Sequence, residues 1–551
     1  MSRNLAIVAA VALTAASGMS TDTVRVCTGY EYCVPSFTYS GKAASVEAWP
    51  TQTTNKWWGP ARLFETKMED GKRHFEFVRI SRDNIIDFRA FDENGNQIDV
   101  SEGEIEIERR PPDYMKRLGP ESWGDKLRRV EWWRRDRFGM FIHFGLYSSA
   151  ARHEWLKSRA CMSEEAYDRY FMNFNPVAFD AREWARAAKR AGMRYAVLTA
   201  KHHEGFCLFD SKFTDYKSTK TAFGRDIAKE FADAFRAEGL KVGFYYSVID
   251  WHHPDYTLDK THPRRPAVWD RRTMPKEKVD ALNEGRDMAR YREYVRSQVA
   301  ELLTNYGRID IVWFDYTPGA GEYGAGKTRR DWDSEGLVAL ARRLQPGVII
   351  DNRLDLDDYE DGQDFLTPEQ CRSEKPPVFA GREWPWETCQ TFSGSWGYCR
   401  DETTWKSGFQ ILEQLIQTVS CGGNLIMNVG PTGRGEFDFR AKERLADYAE
   451  WMSVNGESIY GCGAAPDGLG PRIPNTLYTF NAATGKLYVH FLCWTTGPVS
   501  LPFADRVEYA QFLHDRSEVT IDDEGRLEIP LAKPPVEIPV VEFSLRRLPA
   551  R

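Results

Sequence analysis

Along the middle of the sequence, polar and aromatic groups follow one apolar run after another: His143, Glu154-Trp155, His202-His203-Glu204, Tyr245-Tyr246, Trp313 with Asp315, Asn352-Arg353, Glu369 and Glu387. Asp315 stands out because Val312-Trp313-Phe314-Asp315 puts one carboxylate at the end of an apolar run. Inside a strand such a charge is costly to bury, whereas at the carboxyl end of a strand in a parallel α/β barrel it stands on the catalytic rim. Paired carboxylates need no cofactor and suit glycoside hydrolysis, in which one attacks or stabilises the anomeric carbon and the other protonates the departing oxygen. Tryptophan and histidine beside them would grip the apolar face and the hydroxyls of a sugar. Taken singly, His143 reads as a satisfied structural group and Trp155 and Trp313 as core; their company is what points to a site.

Other chemistries fit the residues less well. His202 and His203 are adjacent, and neighbours on a strand point to opposite faces, so they are not expected to converge on one ion. The chain has no His-Glu-x-x-His or Cys-x-x-Cys spacing. Nor does it have the Gly-x-Ser-x-Gly elbow of a serine hydrolase. No metal and no cofactor is expected.

Elements must position these groups, and after Trp123 strand-like and helical periods alternate. Apolar runs at 138–143, 195–200, 241–246, 309–314, 348–350 and 424–429 read as doubly buried strands. Amphipathic stretches at 181–191, 227–238, 288–305, 336–344 and 441–453 read as helices. Repeated βα units over about 340 residues predict a (β/α)8-like TIM barrel over residues 119–460. An open dinucleotide-binding sheet is disfavoured, since no strand is followed by Gly-x-Gly-x-x-Gly. Before the barrel, alternating runs at 74–80 and 85–91 and the turn Glu93-Asn94-Gly95-Asn96 predict a small β-rich domain over 21–118. After it, alternating runs at 477–480, 486–492 and 540–545 predict a C-terminal β-sandwich over 461–551.

Composition narrows the partners. A net charge of −7 without a basic block argues against nucleic acid. Residues 1–20 carry Arg3, an apolar run from Leu5 to Leu13 and the small residues Ala15-Ala16-Ser17-Gly18, the pattern of a cleaved signal peptide. That run is shorter than the roughly 20 residues that span a bilayer, so the chain is expected to be secreted or periplasmic, without stable membrane insertion. Among the ten cysteines of an exported chain, Cys27 and Cys33 are the first pair to test as a disulfide.

Several long motifs, in order, resemble the α-L-fucosidases of glycoside hydrolase family 29. They are Phe138-Gly139-Met140-Phe141-Ile142-His143-Phe144-Gly145 with Glu154-Trp155, Ala200-Lys201-His202-His203-Glu204-Gly205-Phe206, Trp313-Phe314-Asp315, Ser395-Trp396-Gly397-Tyr398, and the run from Gly422 to Pro431. The resemblance spans roughly residues 120–465. It implies an exo-acting, retaining hydrolase that removes terminal α-L-fucose from a glycan through a covalent intermediate on Asp315. By the same resemblance, His143, Glu154, Trp155, His202, His203 and Tyr246 line the fucose pocket, with Trp313, Arg353 and Trp396 beside them. For the acid/base it favours Glu369, in Thr367-Pro368-Glu369, over the alternative Glu387, in Trp386-Glu387-Thr388. Two criteria should separate them: a retaining pair stands roughly 5 to 5.5 Å apart, and the acid should be the less solvated carboxyl. Hydrolysis of a related sugar such as α-L-galactose, and a catalytically silent glycan-binding protein, are the alternative functions.

Overall fold

The computed structural model describes residues 24–27, 34–50, 63–69, 72–77, 85–98, 105–110, 121–259, 261–264, 276–315, 327–356, 362–379 and 382–546. The leader expected over residues 1–20 and the Cys33 half of the Cys27/Cys33 pair lie outside them. The cysteines from Cys161 to Cys493 are unbridged thiols.

Seven parallel strands form the central sheet: β1 (Phe138–Ile142), β2 (Tyr195–Lys201), β3 (Lys241–Ser247), β4 (Ile311–Asp315), β5 (Ile349–Ile350), β6 (Glu387–Thr391) and β7 (Asn424–Val429). Their spatial order is β5-β4-β3-β2-β1-β7-β6, so the sheet curls with β5 and β6 as its edges. Two parallel bridges span the gap, Asp351 with Phe365 and Leu366 with Trp386, and a third sets Glu369 beside Cys389 of β6. The segment from Phe365 to Glu369 therefore runs between the two edges.

The strands are buried on both faces, and alternation sorts their side chains. In β4, Ile311 and Trp313 join Phe141, Val197, Tyr245 and Ile426 in an inner cluster. Val312 and Phe314 join the outer core instead, which the helices cover. Those helices are α1 (Trp123–Asp136), α2 (Ala181–Arg190), α3 (Ile227–Ala237), α4 (Met288–Asn305), α5 (Ser334–Leu344), α6 (Gly408–Ser420) and α7 (Phe439–Asn455). Asp180, Asp226, Asp287 and Asp438 cap four of them, accepting from first-turn amides where a negative charge also suits the helix dipole. Helices α2 to α5 and α7 and most strands fall within about two residues of the sequence expectation, whereas α1 had no predicted bounds. Strand β6 and helix α6 were not anticipated.

The segment that spans the gap is pinned by a buried carboxylate. Asp364 accepts from Arg129 of α1 at 2.6 Å, from Arg342 of α5, and from the Ile350 amide at 2.8 Å. Burial would raise its pKa, but Arg342 and Arg129 outweigh that and hold it at about 2.

Beyond α7, strands Thr476–Asn481, Lys486–Phe491, Val540–Leu545 and Val507–Phe512 form an antiparallel sheet in that order, with a two-stranded ribbon of Val499–Ser500 and Arg526–Leu527. Its two faces divide by alternation. Leu477, Tyr488 and Val540 enter the main core with Tyr448 and Trp451 of α7. Tyr478, Leu487, Val489, Val541 and Phe543 face a second, smaller core. The described strands before residue 111 form two antiparallel sheets. In the anticipated hairpin, Gly95 takes φ +80° and the Asp92 carboxylate accepts from the Asn94 and Asn96 amides.

Candidate active site

Asp315 is the last residue of β4, in register with Ser247, the last of β3. Its Oδ2 accepts a 2.8 Å hydrogen bond from Tyr245 and lies 3.7 Å from His203 Nε2. Its Oδ1 accepts from Arg353 Nη1 at 3.3 Å. The same nitrogen donates to Glu369 Oε2 at 2.9 Å, so one guanidinium links the two carboxylates. Arg353 itself is clamped: Nε and Nη2 donate to the Thr367 hydroxyl and carbonyl at 3.0 and 3.1 Å. The guanidinium carbon lies 4.7 Å from the Trp313 ring centroid. Burial alone would lower the arginine's pKa, but Glu369 and then Asp315 hold it above its ordinary value.

The histidines come from two neighbouring strand ends. His143 follows β1 and shares its Nδ1 with Asn428 Oδ1 of β7 at 2.7 Å. Beyond β2, the His202 and His203 ring centroids stand only 4.2 Å apart. The expectation that they diverge fails because strict alternation ends with the strand at Lys201, after a register irregularity between Thr199 and Lys201. Burial depresses all three, His143 and His203 to about 3, so they are neutral near pH 7. Even side by side they do not make a tight ligand cluster. Among the described residues, the group of His, Cys, Asp and Glu atoms close enough to hold an ion is Glu164, Asp168 and His252, outside this set.

Glu154 is buried, accepts from the Gly397 amide at 2.7 Å, and has its pKa raised by that burial. Trp155 is half-buried with its ring 5.1 Å from His203. Trp396 lies 5.3 Å from His143. Glu204, beside the histidines in sequence, turns away from them: it accepts from the Leu146 amide at 3.1 Å and from the Tyr167 hydroxyl, bracing the loop after β1.

Two further expectations change. Tyr246 does not reach the site: its hydroxyl donates to Gln298 of α4 at 2.8 Å, on the outer face of the sheet. Tyr245 takes its place, because it pairs with Trp313 in the inner cluster. Strand parity with Asp315 would have found it, had the register between β3 and β4 been known. The second concerns solvation. Glu387 is the less solvated carboxyl, 1% exposed and raised to about 7 by burial. Yet it is the first residue of β6, at the amino end, where Trp133 donates at 3.2 Å and Tyr195 also donates. Glu369, with a side chain 46% exposed, is the carboxyl that shares Arg353 with Asp315. Least solvated and nearest to Asp315 are thus two different residues. Ser247, behind His203, carried no sequence signal, and Asn428, behind His143, lay in the Gly422 to Pro431 motif without an assigned role.

Two carboxylates joined through an arginine at the rim of a curled parallel sheet, among neutral histidines and tryptophans, are the equipment of a glycoside hydrolase. Comparison with known proteins narrows the class. The α-L-fucosidase family model matches residues 119–457, and the chain belongs to that family, glycoside hydrolase family 29. Human plasma α-L-fucosidase is 30% identical over 398 residues, 66% of this chain and 76% of that protein. Alpha-L-fucosidase isoenzyme 1 from Paenibacillus thiaminolyticus is 42% identical, with a TM-score of 0.69 over 77% of this chain and 100% of that one. An α-L-fucosidase of Bacteroides thetaiotaomicron, solved as a trapped covalent intermediate with a 2-fluoro-fucosyl fluoride, is 27% identical, with a TM-score of 0.61 over 76% of this chain and 96% of that one.

Proposed function

We propose that this enzyme is a retaining, exo-acting α-L-fucosidase in which Asp315 attacks the anomeric carbon and Glu369 is the acid/base. The observation that carries this is the shared Arg353 nitrogen. Its 3.3 and 2.9 Å contacts hold both carboxylates against one cation, close enough to admit the roughly 5 to 5.5 Å separation of a retaining pair. The trapped covalent intermediate of the Bacteroides relative supports the same reading. Glu369 protonates the glycosidic oxygen as Asp315 forms an ester with the sugar. Glu369 then takes a proton from water, which attacks the anomeric carbon and releases Asp315. Tyr245 orients the nucleophile, and His143, Glu154, Trp155, His202, His203, Trp313, Arg353 and Trp396 line the sugar pocket.

In this reading the segment from Phe365 to Glu369 supplies the eighth position of a (β/α)8-like barrel over residues 119–460. A β-rich domain precedes it and a β-sandwich follows. The protein is exported on a cleaved leader, and its substrate is a fucosylated glycan.

Azide and product stereochemistry test the assignment. Asp315→Gly should reduce turnover of an aryl α-L-fucoside by at least roughly a thousandfold, and azide should then yield the β-fucosyl azide by single displacement. Glu369→Ala with azide should yield the α-fucosyl azide, since azide attacks the intermediate. Retained turnover in Asp315→Gly, or azide rescue in Glu387→Ala instead, overturns it.

A further inference from the structure

Ser247 ends β3 and is fully buried. A hydroxyl has one proton and two lone pairs, and here all three are assigned. Ser247 Oγ donates to the Ile249 carbonyl at 2.8 Å and accepts from the Ile249 amide at 3.1 Å. Its remaining contact is His203 Nδ1, at 2.6 Å. With the hydroxyl proton already engaged, the proton in that contact must be the ring's own, on Nδ1. Turning the hydroxyl towards Nδ1 instead would strip the buried Ile249 carbonyl of its donor, which is costly.

We infer that Ser247 is a positioning residue that fixes His203 as the Nδ1–H tautomer, leaving Nε2 a bare acceptor that takes a substrate hydroxyl and does not donate to Asp315. The inference rests on the assignment of Asp315 as nucleophile. Burial keeps the ring neutral, so only one nitrogen carries a proton. Nε2 then stands 3.7 Å from Asp315 Oδ2 as one acceptor beside another. Neither can bond the other, and a hydroxyl donor satisfies His203 without drawing electron density from the carboxylate. In the opposite tautomer Nε2–H would point its positive end at Asp315 Oδ2 across that 3.7 Å gap and blunt the nucleophile electrostatically. The same arrangement recurs at His143: Asn428 Nδ2 donates to the Trp396 carbonyl at 2.6 Å, which turns its Oδ1 to accept from His143 Nδ1 at 2.7 Å. His203 and His143 are thus each set by a side chain whose own donor is anchored on the backbone.

The test is 15N NMR of the full chain labelled at histidine, with the His203 signals identified by their loss in His203→Gln. Wild type should show a protonated Nδ1 and a bare Nε2. Ser247→Ala should move the proton to Nε2 and lower kcat by roughly 10- to 100-fold, with a smaller change in KM. A wild-type spectrum with Nε2 protonated overturns the inference. So does a Ser247→Ala protein with an unchanged 15N pattern and kcat within about twofold of wild type. Where the alanine variant does not fold, the wild-type spectrum decides alone. The spectrum needs no turnover, so failure of the Asp315 assignment, seen as activity in Asp315→Gly, is read separately.

Discussion

Two tyrosines adjacent in sequence divide the work at the end of β3. Tyr245 donates to Asp315, and burial followed by that carboxylate raises its own pKa well above the ordinary value, so it stays a donor. Tyr245→Phe should therefore lower kcat/KM about 10- to 100-fold, the worth of a hydrogen bond to a charged group, while Tyr246→Phe should leave it within about threefold. Steady-state kinetics on an aryl fucoside check both. Glu387 belongs to the stability of the curled sheet at its amino-terminal end. Its folded pKa of about 7 exceeds the ordinary 4.5, so between those values the folded state binds more protons than the unfolded chain. Stability from this group is full below about 4.5 and is lost as pH rises through 7. Glu204, also raised to about 7 by burial, acts in the same direction. Glu387→Gln keeps an acceptor but cannot ionise, so it should gain on wild type by on the order of 1 to 3 kcal/mol between pH 5 and pH 8. Denaturant midpoints across that range measure it. Asp315 was legible because it closes an apolar run; Tyr245 was not, because two tyrosines in one strand are equivalent until the register is known.

Closing the gap between β5 and β6 falls to a segment with little strand pattern of its own. Charge holds it: Asp364 lies between Arg129 and Arg342, and the Lys126 ammonium donates to the Gln363 carbonyl at 2.8 Å. Removing one partner of a buried ionic group leaves the others uncompensated, so Asp364→Ala should cost about 3 to 5 kcal/mol. It should also lower kcat, because Thr367 and Glu369 hang from the same segment. With its folded pKa held near 2, Asp364 contributes fully above the ordinary carboxylate value near 3.8, and its contribution is lost as pH falls towards 2. The deficit of the variant relative to wild type should shrink accordingly in acid, as pH-dependent denaturation can show. Strand β6 escaped the sequence reading for a related reason. Its residues Glu387-Thr388-Cys389-Gln390-Thr391 are polar yet wholly buried, because Trp133 and Tyr195 donate to Glu387 while Thr388 and Gln390 donate to the Cys371 carbonyl and Thr391 to the Ser393 carbonyl.

Over the whole molecule, the curled parallel sheet with its helices and the C-terminal sheet share one core. Trp451 of α7 is buried and donates to the Ile538 carbonyl at 3.0 Å, while Leu477, Tyr488 and Val540 pack into the same cluster as the helices that cover the curled sheet. The two should therefore unfold in one calorimetric transition, and Trp451→Ala should lower that transition as a whole, at a cost of about 3 to 5 kcal/mol. Two separate transitions with only one displaced would contradict this. The sequence by itself determined the parallel α/β core and the positions of five of the helices that cover it, α2 to α5 and α7. It also marked the histidines and Asp315 at strand ends, and Glu154 in the loop region after β1. Period, cap residues and apolar runs are local properties written within a few turns of chain. What only the tertiary structure decided was pairing: which tyrosine shares a face with Asp315, which glutamate meets it across Arg353, and why two adjacent histidines stand together. Each depends on register between strands or on chain returning from dozens of residues away, and no local pattern carries that information.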